Sequence, residues 1–487
     1  MGMLSSVIDG IEDGLYTLTK NALMTEAPSY IRPETAIGGN YDPRNELNNA
    51  PPDVIVTKNG EMLTVFRIEG TKNVMPDTFR HQGLTEYYDN AARMLLPFMK
   101  RKGHAVEVIL ERDPDKTRGQ LTKLLQPSSR VAKNLGMDFS EILQGRLDTM
   151  SKHCTYERSW LVISTSMSAL NEAEIKLGIM ENAARATKEG YIPPREGFTN
   201  FFVINKQVHS RHKSFETSFA KAMDSAGLVL TKLSAHEALT DAKICMDPKG
   251  TSEAWKPTLP GDPIRPIMDR KGNPTRHLPN IASQIVPSNL KTDGDYVIAS
   301  GMHYLSGCMK KCPMDTESFT QLFDRVPKNV PFRINMRLYP DGLKMHSLKM
   351  GINNIIAFVS EACRMIKLSY EDLKESEASG DAVVAMDVHF QSWATSKDVA
   401  EMNFSLLDQA VQAWGITDTS KQFGDPYLGF FPNIPFISDK NIAPKMLQPI
   451  SEATKMLPFT RPASPWKHGS ALLRTLCGKV FPMQPGS

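Results

Sequence analysis

The sequence predicts a mixed α/β (α+β) fold, and three observations predict it. Short β-rich runs alternate with longer helical patterns between residues 54 and 189, which implies sheet and helix layers around a common core. The same alternation returns between residues 296 and 413. Eight prolines lie between Pro248 and Pro287, a density that prevents a continuous helix or central strand. We therefore expect a ferredoxin-like α/β lobe over residues 51–247, a Pro/Gly-rich excursion or linker over 248–294, and a second α+β lobe over 295–450.

The composition is that of a globular protein. The chain has 487 residues, of which 41% are hydrophobic and 23% are charged, and this length suggests about three domains. The 57 basic and 54 acidic side chains give a net charge of +3, well short of the excess expected of a dedicated nucleic-acid binder. Six scattered cysteines suit a reducing compartment. Because neither a membrane-length apolar run nor a signal peptide is evident, we expect a cytoplasmic protein.

The first segment, residues 1–50, predicts an amphipathic helix and an irregular arm. Apolar residues recur at helical spacing, while Asp9, Glu12 and Asp13 face away. This helix either packs on its own domain or docks on a partner subunit or membrane surface; its acidic face argues against anionic lipid. Residues 29–53 are rich in Pro, Gly and Asn, as linkers are. The apolar stripe consists of Leu4, Ile8, Ile11, Leu15, Leu18 and Ala22.

A β-hairpin is predicted at residues 54–70. Asn59-Gly60 separates two β-rich runs and supplies the positive φ angles of a two-residue turn. The second strand places Met62, Thr64, Phe66 and Ile68 on one face and Leu63, Val65, Arg67 and Glu69 on the other.

The rest of the first lobe alternates in the same way. We expect a helix over residues 77–100, a strand over 104–111, helical stretches up to 152, a strand over 158–165 and a helix over 169–189.

The second lobe contains the clearest βα unit. Strands are predicted at residues 296–300, 332–338 and 382–393, with a helix at 347–364. In the last strand Val384, Met386, Val388 and Phe390 share one face, opposite a face that includes Asp387 and His389. Thr395 or Ser396 caps the following helix and Gly415 ends it. Its predicted apolar stripe is Val399, Met402, Leu406, Ala410 and Ala413.

Candidate catalytic and metal positions are few. His303, Cys308 and Cys312 supply only three of the four ligands of a structural zinc site, so two ordinary thiols are the alternative. Asp387 and His389 could form an acid/base or metal pair, but a polar strand face bordering solvent explains them as well. His236-Glu237 fails the HExxH pattern because Thr240 stands where the second histidine should be. Residues 250–254 only half match a nucleophile elbow, and we expect a loop there.

Local basic groups and methionines are predicted to have ordinary structural roles. Lys100-Arg101-Lys102, Lys310-Lys311 and the pair Arg333 and Arg337 are predicted to be solvated faces. The 26 methionines are assigned to filling gaps in the core.

A phosphate-binding loop is missing from these residues. Such a loop needs glycines to wrap the phosphates, a lysine, and a Ser or Thr for magnesium. The only Gly-Lys pair is Gly478-Lys479, and Val480 follows it where Ser or Thr is required. Leu473 stands where the first glycine should lie.

Three stretches together resemble one protein family. The hairpin at residues 54–70, which ends in Glu69-Gly70, is similar to the opening of the N-terminal domain of VirB-class conjugation ATPases. KQFGDPYLGFFPNIPF (residues 421–436) and RPASPWKHGSALLRTLCGKVFPMQPGS (461–487) resemble segments that lead into the motor of type IV secretion ATPases. The particular likeness is to the IcmB/DotO proteins of Dot/Icm systems and the TraU proteins of I-type conjugative plasmids. It covers most of the chain loosely and the final quarter more closely.

The resemblance implies a role. Residues 451–487 would be a linker toward a C-terminal RecA-like motor that binds ATP and magnesium and hydrolyses ATP. The family forms hexamers or hexamers of dimers at the cytoplasmic face of the bacterial inner membrane, bound to secretion-channel components, and a DotB-like hexameric ATPase docks on the motor. We therefore expect a docking and assembly region that anchors the motors to the channel base. We expect no catalytic, cofactor or metal residues in this chain, and no direct contact with nucleic acid.

Two other function classes remain open. A stand-alone nucleic-acid-binding protein of a conjugation system would use the local basic clusters, and its affinity for single-stranded DNA would fall steeply with salt. A hydrolase whose catalytic groups converge from distant positions is the third possibility.

Overall fold

The computed structural model describes residues 27–38, 51–72, 80–189, 205–260, 262, 267–268, 274–275, 280–313, 315–346, 361–464, 466, 469, 471–475 and 478–483. Within them the fold is a large antiparallel sheet with helices against both faces, which confirms the predicted mixed α/β class. The amphipathic helix expected at residues 4–22 and residues 39–50 of the arm after it lie outside the described residues. The prediction of a linker or irregular arm is wrong for the described part, because Pro33–Ile37 forms a strand that pairs with Val54–Thr57.

The first half of the chain begins with a 3₁₀ turn, Ala27–Tyr30. Strands and helices then alternate much as predicted. They are β1 (Pro33–Ile37), β2 (Val54–Thr57), β3 (Met62–Thr71), α1 (Arg80–Met99), β4 (His104–Arg112), α2 (Thr117–Asn134), α3 (Ser140–Ser151), β5 (Glu157–Thr165), α4 (Glu172–Glu189), α5 (Lys206–Ser225), β6 (Leu228–Lys232) and α6 (Ala235–Met246).

The second half opens with a two-residue strand pair inside the proline-rich stretch. The elements are β7 (Ile267–Met268), β8 (Pro274–Thr275), α7 (Ile281–Ile285), β9 (Lys291–Asp293), β10 (Tyr296–Ala299), β11 (Met302–Met309), α8 (Phe319–Arg325), β12 (Phe332–Tyr339), α9 (Glu361–Ala378), β13 (Val383–Ala394), α10 (Lys397–Ala413), β14 (Thr419–Lys421), α11 (Tyr427–Phe430), β15 (Met446–Pro449), α12 (Ile450–Lys455), β16 (Ala471–Arg474) and β17 (Val480–Met483).

One sheet connects the two halves of the chain. Its strands follow the order β1-β2-β3-β5-β4-β12-β13-β11-β10-β9, and β6, β14 and β15 pair with β3, β11 and β13. The junction is the antiparallel pair β4–β12, in which Phe332 lies opposite Arg112 and Leu338 lies opposite Val106. Residues 51–247 and 295–450, expected as successive lobes, therefore share a continuous sheet.

The two halves repeat one arrangement. The first half contains β3-α1-β4-β5-α5-β6 with strand order β6-β3-β5-β4, and the second contains β11-α8-β12-β13-α10-β14 with order β14-β11-β13-β12. All neighbouring pairs within these sets are antiparallel. Because β4 and β12 occupy equivalent places and run antiparallel, the strands are related by an approximate twofold axis between them. Each half also carries a helical insert after its second strand: α2–α3 follows β4 and α9 follows β12.

Alternating side chains bury both faces of the sheet. On one face apolar residues such as Val108, Met336 and Val388 pack against α1, α5, α8, α10 and α12. The other face packs Trp160 and Tyr304 against α6, α7 and α11. The second face also carries the charged side chains of β4 and β12, which determines the local electrostatics described below.

Three predictions of local structure need correction. The turn at Asn59-Gly60 is a three-residue loop, because the Thr57 amide donates to the Glu61 carbonyl at 2.9 Å and Gly60 alone within the loop has positive φ, 77°. The predicted α10 stripe is only partly right: Val399 and Met402 are 43% and 51% exposed, whereas Ala410 is buried. The buried α10 residues are Ala400, Asn403, Phe404, Leu407, Ala410 and Val411.

The helix predicted at residues 347–364 also ends in the wrong place. Residues 347–360 lie outside the described residues, and the described helix α9 continues to Ala378. Glu371, Asp372, Glu375 and Glu377 make its second half polar, so an apolar period could not reveal it.

Candidate docking site

The α2–α3 insert has a packed base. Leu121, Leu125 and Leu147 point toward one another and are buried together with Leu472 of β16 and Val480 of β17. Asp113 begins the insert by accepting a hydrogen bond from the Asp115 amide at 3.1 Å, which caps the 3₁₀ turn ahead of α2. The base of the insert therefore shares a small core with the C-terminal hairpin β16–β17.

The opposite end of the insert is apolar and exposed. This insert tip comprises five large hydrophobic side chains around the loop between α2 and α3. Two of them, Met137 and Phe139, line a groove of about 400 Å³. Exposed apolar groups concentrated in this way are typical of interaction sites. The exposed fractions are 57% for Val131, 65% for Leu135, 52% for Met137, 42% for Phe139 and 67% for Ile142.

The C-terminal segment, defined here as the described residues from Arg461 to Met483, is fixed to β3. The Thr71 amide donates to the Arg461 carbonyl at 2.8 Å, and the Ala463 amide donates to the Thr71 carbonyl at 2.9 Å. Arg461 also pairs with the buried Glu157 of β5. Gly70 permits this close approach, because its φ is 131° and a Cβ there would lie 2.3 Å from the Arg461 oxygen.

Burial and charge act in opposite directions on Glu157. Burial raises the pKa of this carboxyl, but the attraction of Arg461, Lys479 and Arg112 outweighs burial and lowers the pKa below its usual value. The Arg461 guanidinium carbon lies 3.9 Å from the centre of the Phe323 ring. Glu157 is therefore an ionised, structural partner of the C-terminal segment.

Further hydrogen bonds connect the C-terminal hairpin to β3, to the insert and to the residues that follow the insert. Lys479 Nζ donates to the Glu69 carbonyl at 2.6 Å. Arg146 of α3 donates to the Leu472 carbonyl at 3.1 Å, and the Thr155 amide donates to the Gly478 carbonyl at 3.0 Å. The insert, β3 and the C-terminal segment thus form one mechanically continuous block.

The α9 insert presents a second exposed surface. Lys367, Tyr370 and Leu373 are partly buried, and the Tyr370 hydroxyl donates to the Leu343 carbonyl at 3.0 Å. Met365 and Leu368 on the outer side are 54% and 48% exposed. The two inserts therefore both carry apolar side chains in contact with solvent.

A layer of buried ion pairs lies across the β4–β12 junction. Arg333 and Arg337 are 1% and 3% exposed, so the prediction of a solvated face for them is wrong. Arg333 pairs with Glu111, and Arg337 Nη2 lies 3.2 Å from a Glu107 oxygen. Burial raises the pKa of Glu111, but Lys116 and Arg333 outweigh it and hold that pKa far below its usual range. Both arginines are buried against carboxylates of β4, so they are not available to nucleic-acid phosphates.

The same layer holds the aromatic, proline-rich passage over the sheet. Asn335 donates to the Pro432 carbonyl, and Arg337 donates to the Ser438 carbonyl at 2.6 Å. The Phe436 amide donates to Glu107 at 3.4 Å. Buried backbone groups of an irregular segment need such partners. The charges of the junction therefore have a structural role.

Asp387 and His389 are brought together but have no access to solvent. Their exposed fractions are 0% and 1%, so the predicted solvent-bordering face is wrong. His389 Nε2 lies 3.5 Å from an Asp387 oxygen, and the Tyr339 hydroxyl donates to Asp387 at 3.0 Å. Burial raises the pKa of Asp387, but His389, Arg337 and Tyr339 outweigh it and lower the pKa. Asp387 and His389 therefore form a buried polar contact within the sheet.

The three residues weighed as a zinc candidate are not brought together. His303 and Cys308 belong to β11 but, being five residues apart, lie on opposite faces of the sheet. Cys312 donates to the Leu447 carbonyl at 3.2 Å. Across the part of the chain that the structure describes, no cluster of three or more His, Cys, Asp or Glu side chains could hold a metal ion.

The remaining motif candidates have ordinary structural roles. Glu237 forms a capping box with Ser234 at the start of α6. His236 Nε2 lies 2.7 Å from an Asp262 oxygen. The Gly250 amide donates to Asp247 at 2.9 Å in a loop, as predicted. Gly478-Lys479 lies at the turn between β16 and β17, where the Gly478 φ is 89°.

The sequence analysis did not identify the insert tip or the Arg461–Glu157 pair. The tip could have been found from Leu135, Met137 and Phe139, three large apolar residues in a loop between two helical patterns. The ion pair joins residues 304 positions apart, and no local pattern indicates it.

The comparisons leave the family assignment open. No protein-family model matches the chain, and no curated protein matches it either. Among the helices that the structure describes, none combines the length and apolar character required to cross a bilayer.

Proposed function

We propose that this chain is a non-catalytic docking and assembly region of an inner-membrane-associated ATPase of type IV secretion or conjugative transfer. One observation carries the proposal: an insert with an exposed apolar tip is packed directly against the C-terminal segment. That segment is the stretch whose sequence resembles the run-up to the motor in the IcmB/DotO and TraU family. A surface for partners and the path toward a motor would thus belong to one block.

The proposed mechanism is transmission of force. ATP and magnesium would bind in a C-terminal motor, and rearrangement there would pull on the segment around Arg461. The buried pair with Glu157 and the backbone bonds to Thr71 resist separation of that segment from the sheet. Movement would therefore reach the insert tip, and through it the channel base at the cytoplasmic face of the inner membrane, without being lost in a flexible tether.

The finer fold assignment belongs to the same proposal. We interpret β3-α1-β4-β5-α5-β6 and β11-α8-β12-β13-α10-β14 as two ferredoxin-like lobes, and their matching strand orders support this interpretation. Their union through β4–β12 makes a rigid platform, because a shared sheet and buried ion pairs resist bending. Rigidity is what an anchoring part requires.

The function can be tested in the cells from which the gene comes. Overproduced chain should enter the native assembly without supplying a motor, and so should lower secretion or conjugative transfer. The variant Leu135→Ser/Phe139→Ser, which makes the tip polar, should lose this inhibition. Phe423→Ser is the matched control, because Phe423 is 70% exposed but lies outside the insert. Unchanged transfer with abundant wild-type chain would contradict the proposed function, as would ATP turnover by the pure chain.

A further inference from the structure

A polar cavity lies beside the β4–β12 junction, on the face of the sheet that carries the charged side chains. Its volume is about 410 Å³, within the range of small-molecule sites. Strands β4, β5 and β12 form one wall, and residues 439–445, which follow the aromatic, proline-rich passage, contribute to the other. The charged residues of the lining are Arg32, Glu61, Glu107, Arg337, Asp439 and Lys445.

The two inner carboxylates of the cavity already have partners. Glu107 accepts hydrogen bonds from Arg32 and Arg337, each at 3.2 Å. It also accepts one from Asn335 at 2.8 Å. Glu61 pairs with Arg32 at 3.1 Å. These carboxylates are therefore neutralised and hydrogen-bonded within the protein.

Arg337 has donors that the protein leaves unused. Its Nη2 atom donates to Glu107 and to the Ser438 carbonyl, but its Nε and Nη1 atoms have no acceptor among the described residues. The residue is 3% exposed, and buried donors without an acceptor are costly. A carboxylate is the acceptor whose geometry matches a planar guanidinium. The lining therefore favours a ligand that brings a carboxylate to Arg337.

Two exposed charges of the lining are also unpaired. Lys445 Nζ lies 4.0 Å from the centre of the Tyr339 ring, and it forms no ion pair with any residue that the structure describes. The exposed Asp439 likewise has no cationic partner within the described chain. Three cationic and three anionic side chains line the cavity in all. A ligand that carries both charges matches this balance better than a simple anion or cation.

We infer that the cavity binds a small zwitterion of the α-amino acid type. The ligand carboxylate accepts from Arg337 and is attracted by Lys445, and the ligand ammonium group lies toward Asp439. This inference goes beyond the docking role proposed above and does not rest on it. Because Arg337 belongs to β12 and the other two residues belong to the chain after the passage, the bound molecule connects that chain to the sheet and stabilises the fold.

Thermal unfolding of the whole chain tests the binding. The probes are L-α-amino acids with uncharged side chains, each added alone at about 5 mM. At least one should raise the Tm, because a ligand that binds only the folded state stabilises it. Two analogues of the same amino acid serve as controls: the amine that lacks the carboxylate and the N-acetyl derivative that lacks the ammonium group. Neither control should raise the Tm.

Substitutions at the exposed side of the cavity locate the site. By isothermal titration calorimetry, Lys445→Gln and Asp439→Asn should each weaken binding at least about fivefold. Lys440→Gln is the matched control, because it removes an exposed lysine next to Asp439 that does not line the cavity, and it should leave the affinity within about twofold. Unfolding of each ligand-free variant at the wild-type temperature shows that it is folded.

Three results would overturn the inference. The first is that no amino acid raises the Tm or gives a binding isotherm. The second is equal stabilisation by either single-charge analogue, and the third is binding that Lys445→Gln and Asp439→Asn both leave unchanged. Failure here is distinct from failure of the proposed function, because inhibition of transfer depends on the insert tip and is measured without added ligand.

Discussion

Replacing Arg461 by Met should loosen the C-terminal segment from the sheet. Methionine keeps an unbranched apolar stem but removes the guanidinium that pairs with Glu157, whose side chain is 5% exposed. Removing one partner of a buried pair costs about 3–5 kcal/mol, since the other charge remains without compensation. Lys479 Nζ at 3.8 Å retains part of the attraction on Glu157, so we expect the lower end, about 3 kcal/mol.

Hydrogen exchange measures this loss at the relevant place. The Thr71 and Ala463 amides form the two backbone bonds that connect β3 to the segment. If opening becomes easier by about 3 kcal/mol, their exchange should accelerate on the order of 100-fold, because each 1.4 kcal/mol is a factor of ten. Amides in β4 and β12 should change far less.

Two further variants sharpen the result. Arg474→Met removes an exposed arginine of the same hairpin, which donates to the His153 carbonyl at 3.3 Å, and should leave Thr71 exchange within about twofold of wild type. Adding Glu157→Gln to Arg461→Met removes the uncompensated charge and should restore part of the protection. Unchanged Thr71 and Ala463 exchange in Arg461→Met would refute the proposed rigid connection.

Two predictions concern the stability of the platform. Glu111→Gln should lower the free energy of unfolding by about 3 kcal/mol in urea titration, because it leaves Arg333 buried without its charged partner. Glu174→Gln, which removes an exposed pair with Arg211, should change the free energy of unfolding far less. Equal losses in the two variants would contradict the structural role of Glu111. Burial lowers the pKa of His212 to about 3, with Lys213 nearby adding to the effect, whereas an unfolded histidine titrates near pH 6.5. The unfolded state therefore binds more protons between these values, so stability should fall as pH decreases from about 6.5 toward 4, by up to about 1.4 kcal/mol per pH unit for this histidine. His212→Gln should reduce that slope, and an unchanged slope would exclude His212 as its source.

Local patterns predicted elements well where one face packs against a neighbour close in sequence. The β-hairpin at residues 54–70 and the βα unit of β13 and α10 both follow from alternation and turn residues. The α10 stripe was misplaced because two helix faces carry apolar residues at similar spacing. The contacts of Phe404 and Leu407 with the core decide which of the two faces is buried. Spacing along the sequence does not show which face this is.

The junction of the halves could not be predicted from local patterns. Arg333 and Arg337 alternate with apolar residues along β12, and alternation looks the same whether the polar face meets water or buried carboxylates. Their partners, Glu111 and Glu107, are more than 200 residues away. The candidate docking site could not be predicted for the same reason. The base of the α2–α3 insert is completed by Leu472 and Val480, which lie far from it in the sequence.

The native gene product tests the proposed role most directly. We would purify it from the membrane fraction of the source cells and determine its mass and sequence. A docking region of a secretion ATPase predicts a longer product, in which a glycine-rich loop ending in Gly-Lys-Thr or Gly-Lys-Ser follows residue 487, co-purifying with inner-membrane channel components. A product that ends at Ser487 and stays in the soluble fraction without those components would contradict it.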